Sequence, residues 1–468
     1  MGGLLSSLDT AKSSLSANQQ AVQVVGNNIS NVNTPGYSRE TPTFTPYPSL
    51  LQNGFFVGQG VNVTGIARAQ DVFLTGQIND QSAALGEQSS QSTPLAQLEQ
   101  VFSVSSNNLT NQIDSFFNSW QSLSQNPSGA TERNQVILQG ENLAQTFNTT
   151  SQQLDSATAS INSDITSRID NLNAQLKQVA ALNSRILQVE SSGQSDNSDR
   201  DQRDQLIQKL SQSLGVKTST MDGTISLSLP NGLPLVQGST YNKLTTSLDA
   251  SNNVQLGINL SGNDVALGQN SVGGEMKGLL SVRDTTIPAL KDQLDSLAYN
   301  LATTVNTQQQ AGAGLNSGTT PAFFNALASQ SGAAAQIGVA ITDPNDVAAG
   351  AHLDGAGGTQ AAATGDNSNA LAMFNLGSAT ISGLSDSFDG YYSQIVSNVG
   401  VATQSNTTAV SGATDSLTQL QNLRDSVAGV SVDDEMVTLV QYQQGYQASA
   451  KYLTTVNQMM DTLLTLKS

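Results

Sequence analysis

The chain holds one histidine and no cysteine among 468 residues, and that inventory narrows the chemistry open to it. Histidine is the side chain best suited to general-base and metal-ligand work near neutral pH. His352, however, stands alone among small residues in Gly350-Ala351-His352-Leu353-Asp354-Gly355, where a solvated imidazole is expected. The acidic run Asp196-Asn197-Ser198-Asp199-Arg200-Asp201 superficially resembles a calcium loop. It lacks both the glycine at the sixth position and the bidentate Glu at the twelfth, and it reads as a polar loop leading into a helix near Asp201. Gly355-Ala356-Gly357-Gly358 has no strand before it and no lysine behind it, as a phosphate-binding loop would need. Asp433, Asp434 and Glu435 suggest a carboxylate pair, but behind Ser431 they suit the first turn of a helix, the hydroxyl capping it and the charges opposing its macrodipole. Without cysteine there is no thiolate nucleophile, disulfide or sulfur-ligated metal, and a serine nucleophile would have only His352 as its base. The expectation is therefore no enzyme, no cofactor and no metal site.

What the sequence does carry is two long apolar repeats, one at each end. Leu8, Leu15, Val22 and Ile29 step by seven, and Leu4, Ala11, Asn18, Val25 and Val32 fill a companion seam. A seam of this kind supercoils against another helix. At about 1.5 Å per residue it would span roughly 43 Å, too long and too thinly apolar for the core helix of a small domain. At the other end Val432, Leu439, Tyr446, Leu453 and Met460 step by seven, with Met436, Gln443, Ala450, Asn457 and Leu464 beside them. These seams are expected to partner each other, Gln443 and Asn457 answering Asn18 as register-setting amides. Two amphipathic helices on an ordinary core would show the same periodicity. Ordering the ends costs roughly 1 to 2 kcal/mol per residue, so without a partner both are expected to be largely disordered and to fold on assembly.

Behind the first repeat comes Asn27-Asn28-Ile29-Ser30-Asn31-Val32-Asn33-Thr34-Pro35-Gly36-Tyr37. Pro35-Gly36 ends the helix, and the Asn amides can either cap it or bond backbone groups of adjacent chains. This stretch resembles the signature of the axial proteins of the bacterial flagellum, the rod, hook and hook-associated proteins, usually written Ala-Asn-Asn-Ile-Ala-Asn-x-Asn-Thr-Pro-Gly-Tyr. Gly26 and Ser30 stand for its two alanines. The run from Val430 to Leu466, with Val432-Asp433-Asp434-Glu435-Met436 and Tyr442-Gln443-Gln444-Gly445-Tyr446-Gln447-Ala448-Ser449-Ala450, is similar to the end of the same proteins, which normally have Ala at the position of Gly445. Asp201-Gln202-Arg203-Asp204-Gln205-Leu206-Ile207, Leu214-Gly215-Val216, Asp222-Gly223, Asn231-Gly232 through Gly238, Ile341 to Ala349 and Gly365 to Leu371 resemble the hook-associated branch, in that branch's order.

Composition agrees with a structural role. Only 37% of residues are hydrophobic and 5% aromatic, and 18 basic against 36 acidic residues give a net charge of -18. Phosphate backbones need clustered Lys and Arg, so nucleic acid is not expected as a partner. No stretch approaches the ~20 apolar residues of a membrane span, and the first thirty residues lack the basic start and apolar stretch of a cleavable secretory signal.

The expected fold is mainly α with a β-rich insertion, its N- and C-terminal helices paired as a coiled coil. Residues 1–66 and 432–468 form a terminal coiled-coil assembly domain with an extended segment. Pro42, Pro46 and Pro48 exclude helix there, and its aromatics Phe44, Phe55 and Phe56 lie either in the next domain or at a subunit boundary. Residues 67–210 and 280–431 form a discontinuous helical bundle, marked by Ile165, Leu172, Val179 and Ile186 and, after Pro288, by Leu290, Leu294, Leu297, Leu301 and Val305. Residues 211–279 form a small β domain: Ile225, Leu227 and Leu229 alternate before the Asn231-Gly232 turn, and Pro234 demotes the next strand toward an edge. Residues 311–375, rich in Gly, Ala and Ser, are expected to be mostly loop, with one or two short strands near Ile337 to Ile341.

The resemblance implies a self-assembling homo-oligomeric ring at the junction of hook and filament, with terminal helices lining the inner tube. It implies export by the flagellar type III apparatus without a cleaved signal, a cytoplasmic export chaperone on the C-terminal helix, and an extracellular place between hook protein and a second junction protein. A hook-protein or flagellin type, or a filament-embedded secreted enzyme, are the competing readings. The family often carries a further outer domain, for which residues 311–375 are short.

Overall fold

The structure, a computed structural model, describes residues 2–52, 54–102, 108–221, 224–355 and 358–465. Asp222-Gly223, Ala356-Gly357 and Leu466, used in the sequence reading, lie outside the described residues. The N-terminal repeat is one helix, α1 (Gly2–Ser30), after which a tight turn at positive-φ Gly36 redirects the chain. A ribbon follows. Strands β1 (Glu40–Pro46) and β4 (Val61–Arg68) pair antiparallel from Glu40 opposite Arg68 to Pro46 opposite Val61, with a bulge between Thr43 and Phe44. Between them a small hairpin of β2 (Leu50–Gln52) and β3 (Phe55–Val57) forms the tip.

Four helices come next: α2 (Val72–Phe102), α3 (Leu109–Gln125), α4 (Ala130–Glu190) and α5 (Asn197–Leu214). The seven-residue steps put Ile165, Leu172, Val179 and Ile186 on one buried face of α4, whose 61 residues make it the spine of the molecule. Helix α5 ends at Gly215 in the left-handed conformation, which only glycine adopts freely. Gly86 lets α2 close on α5, since a Cβ there would stand 2.0 Å from the Gln212 carbonyl oxygen.

The insertion is antiparallel. Strands β5 (Lys217–Met221), β6 (Thr224–Ser228), β7 (Pro234–Gln237) and β8 (Thr240–Tyr241) form one sheet in chain order, and β9 (Leu244–Leu248), β10 (Val254–Leu260) and β11 (Asn263–Leu267) a second. Pro234 is tolerated inside the first sheet because it opens its strand, where a missing N–H costs the ladder least. Amides on α4 pin both sheets. Asn173 bonds both backbone groups of Leu244, at 2.9 and 2.8 Å, and Asn183 donates to the carbonyls of Ile225 and Gly238. Leu227, Leu235, Leu244 and Ile258 join the same apolar core as α4, so sheet and bundle share one interior.

The chain returns through α6 (Gly274–Ser281), a π-helical turn at Val282–Thr286 and α7 (Ile287–Ala311). The sequence placed this helix after Pro288; it is continuous from Gly274, because the wider turn, in which the Ile287 N–H reaches Val282, accommodates a proline in the next turn. Short elements follow: β12 (Gly312–Ala313), α8 (Ala333–Gln336), a 3-10 turn at Pro344–Asp346, β13 (Gly350–Ala351) paired with β12, and α9 (Ser368–Leu376). This segment is mostly irregular, yet it is packed. Phe323 and Phe324 are fully buried against Phe116 and Trp120 of α3. His352, expected to be solvated, is also buried: its Nδ1 lies 2.9 Å from the Gln360 carbonyl and it bridges to Ala362. It is enclosed because the carboxylates of Asp354 and Asp366 tie the surrounding loops by accepting backbone N–H bonds, which hold both below the ordinary aspartate value.

Helix α10 (Phe388–Ala428) then runs antiparallel along α2, and α11 (Val432–Thr465) runs antiparallel along α1. Both ends therefore pair as expected, in one chain.

Candidate assembly site

Three contacts set the register of the terminal pair. The Ser14 and Ser449 hydroxyls meet at 2.8 Å, Asn18 lies against Gly445, and Asn28 Nδ2 donates to Glu435 Oε2 at 3.0 Å. Moving from Ser14 to Asn28 on α1 corresponds to moving back from Ser449 to Glu435 on α11, so the crossing keeps one register. The contact is made by small and polar side chains. A Cβ at Gly445 would stand 2.6 Å from Asn18 Oδ1, which gives a local reason for glycine there.

The seam on α11 that faces α1 is thus not the apolar one. Glu435, Ser449 and Val456 are buried, with Tyr442 half-buried between them. Of the residues singled out by periodicity, Leu439, Ala450, Leu453 and Met460 are half-buried, while Val432, Met436, Gln443, Tyr446, Asn457 and Leu464 are exposed. On α1, Ala11 and Val25 are buried and Leu4, Leu8, Leu15, Asn18, Val22, Ile29 and Val32 are half-buried. The expectation that Gln443 and Asn457 answer Asn18 is corrected, because Asn18 Nδ2 donates to its own helix at Ser14. The physical reason is close approach: serine and glycine admit the backbone of α1, and the larger apolar side chains of α11 are left on the flank. The other face of α1, at Val24, looks onto β1 and β4, and Phe44 of the ribbon touches Tyr442 at 6.0 Å between ring centres.

At the neck between terminal pair and bundle lies a polar node. Asn28, fully buried, uses its whole amide: Nδ2 donates to the Glu40 carbonyl (2.8 Å) and to Glu435, while Oδ1 accepts from the Tyr37 hydroxyl (2.8 Å) and the Glu40 N–H (3.0 Å). Nothing of it remains for a neighbouring chain. Arg39 Nε reaches the other Glu435 oxygen at 2.7 Å, and its backbone N–H donates to Ala428. Burial first, then the carboxylates of Glu40, Asp201 and Glu435, push the Tyr37 phenol well above its ordinary value, so it remains a donor.

The node continues into the bundle through α5. Asp201 accepts from the Ser38 N–H and hydroxyl, both at 2.9 Å, and from Arg68 Nη1 at 2.6 Å; Arg68 Nη2 reaches Asp204 at 2.8 Å. Burial alone would lower the Arg68 pKa, but Asp204 and Asp201 outweigh it and hold the guanidinium above its usual value. Gln205 Nε2 donates to the Pro35 carbonyl at 2.8 Å. Of the Asn-rich stretch, then, Asn28, the Pro35 carbonyl, Gly36 and Tyr37 belong to this intrachain joint. Asn31 caps α1 by donating to Asn27, and Thr34 donates to Asn31. Asn27, Asn33, Thr34 and Pro35 are exposed.

Arg39, Arg68, Asp201, Asp204, Gln205 and Glu435 were not among the site residues picked from sequence. One signal was available: Arg39, Glu40 and Arg68 are the charged residues closing a stretch, 41–67, that contains none. Among the described residues no group of three His, Asp or Glu side chains is placed to hold a metal ion, and no helix is long and apolar enough to cross a membrane.

Comparison with known proteins bears on these same segments. Residues 95–324 match a family model described as the flagellar hook-associated protein FlgK helical domain, residues 8–37 one described as flagella basal body rod protein, and residues 425–466 one described as flagellar basal body rod FlgEFG protein C-terminal. Flagellar hook-associated protein 1 of Escherichia coli (strain K12) is 28% identical over 551 residues, covering 98% of this chain and 99% of that protein. Its counterpart in Bacillus subtilis (strain 168) is 27% identical over 499 residues, covering 98% and 97%. The flagellar hook junction protein FlgK from Burkholderia pseudomallei shares the fold, with a TM-score of 0.68 at 17% identity over 75% of this chain and 100% of that one. The first alignment runs to 551 residues against 468 here, so the Escherichia coli relative carries segments that this chain lacks.

Proposed function

This chain is homologous to flagellar hook-associated protein 1 along nearly its whole length, and from that premise we propose how it serves as the hook-filament junction protein of a bacterial flagellum. Identical copies assemble as a ring. The paired α1 and α11 form the inner layer, the bundle and β-rich insertion lie outside it, and hook protein and a second junction protein are the axial neighbours. The observation that carries the reading is the outer face of α11, where Val432, Met436, Val437, Val440, Tyr446 and Leu464 are exposed on a helix whose inner face is already taken by α1. An unpartnered apolar stripe of that length is an association surface.

The chain reaches its place through the flagellar type III apparatus. Before assembly the α11 stripe is the part an export chaperone covers, since it is exposed in the lone chain and continuous over several turns. The role is mechanical, with no catalysis. Deleting the gene is expected to leave hooks intact, abolish motility and release flagellin into the medium. Normal filaments in that strain would refute the reading.

A further inference from the structure

Charge is divided unevenly along this chain. Residues 1–68 and 429–468 carry six acidic and five basic side chains, whereas residues 69–428 carry thirty acidic and thirteen basic. Copies brought together body to body repel, so contact between copies is less opposed where at least one of the two surfaces belongs to a near-neutral end. Within those ends the ribbon tip is, beside the α11 stripe, a second exposed apolar feature. Phe55 is 75% and Phe56 76% exposed, Leu50 and Leu51 are exposed beside them, and the whole stretch 41–67 is uncharged.

A second apolar patch lies at the shoulder of the bundle. Val72 and Phe73, which open α2, are each 75% exposed. The antiparallel course of α10 along α2 brings its last turns to the same end, where Arg424 and Ala428 share a hollow with Asp71 and Thr75 and where Leu423 and Val427 are exposed. The tip cannot reach this shoulder in its own chain. Strand β4, eight residues long, separates them by about 26 Å at the usual strand rise. Two unlike patches, each unsatisfied in one copy, describe a head-to-tail contact, which closes into a ring when the rotation permits.

We propose that the hairpin tip of one copy, led by Phe55 and Phe56, seats on the Val72–Phe73 shoulder of the next copy. The contact supplements the α11 stripe and rests on the junction reading, because it presupposes neighbouring copies. It gives the ring a direction: every copy offers a tip on one side and a shoulder on the other.

The absence of cysteine makes the test clean. Chains carrying Phe55→Cys and chains carrying Phe73→Cys are expressed together, hook and filament structures are isolated, and a short bismaleimide is applied. A two-chain cross-link at least tenfold above that from either variant alone is the expected result. Both replaced side chains are exposed, so folding is not at issue. If the chain is present in those structures and no such cross-link forms, the docking proposal falls and the junction reading stands. Efficient tip-to-tip linkage from Phe55→Cys alone, or linkage of the tip to a Met436→Cys copy instead of the shoulder, also overturns it. If the chain is absent from isolated hook structures, both readings fall together.

Discussion

Asn28 is the residue on which the neck depends. Its amide satisfies backbone groups of Glu40, the Tyr37 hydroxyl and a Glu435 oxygen, and buried groups left without partners cost about 1 to 3 kcal/mol each. Asn28→Ala is expected to speed amide exchange in α1 and α11 by ~30-fold, corresponding to about 2 kcal/mol, with amides in the middle of α4 unchanged. Equal acceleration throughout would show that the node does not act locally. Tyr37 adds a pH dependence. Its folded-state pKa is raised, so its contribution is fully present below the ordinary tyrosine value of about 10 and is lost as pH rises beyond it. Alkaline titration should therefore loosen the terminal helices before the bundle, and Tyr37→Phe should remove that phase. The Asn-rich block was visible in sequence, but its role was not. Nothing in Asn27, Asn28, Asn31 and Asn33 distinguishes the one that folds inward, because that depends on Glu40 and Glu435 arriving from elsewhere.

At the scale of elements, the helices were legible where large apolar residues recur with a helical period. The spine α4 announced itself through Ile165, Leu172, Val179 and Ile186, all buried on it. The same rule misplaced the inner seam of α11, because that contact uses Gly445 and Ser449, which carry no hydrophobic signal. The packed segment around Phe323 and Phe324 was also hidden, its burial coming from scattered side chains and Asp-tied loops with no periodicity to read. The seam yields a further prediction. Gly445→Ala alone should gain less than the ~1 kcal/mol expected from helix propensity, since the new methyl meets Asn18 Oδ1. Combined with Asn18→Ala it should gain the full amount, seen as slower exchange in α11. A full gain from Gly445→Ala by itself would argue against the close approach.

The whole molecule is two bodies of different composition joined at a neck. The main apolar core runs from Leu95 to Val399 and takes in the β-rich insertion, while the buried residues of the terminal pair, among them Ala11, Val25 and Val456, lie outside it. A chain trimmed to residues 69–428 is thus expected to keep its thermal midpoint to within about 5 °C and to remain monomeric at concentrations where the full chain associates. A collapse of the midpoint would mean that the terminal pair is part of the folding unit. Only two covalent connections cross the neck, after Arg68 and after Ala428, and the node straddles both: Arg68 is held by Asp201 and Asp204, and Ala428 accepts from Arg39, which grips Glu435. Turning the helical pair against the bundle is therefore expected to strain several of these bonds together. Although only two stretches of chain pass through the neck, side-chain bonds tie the pair to the bundle beside each of them.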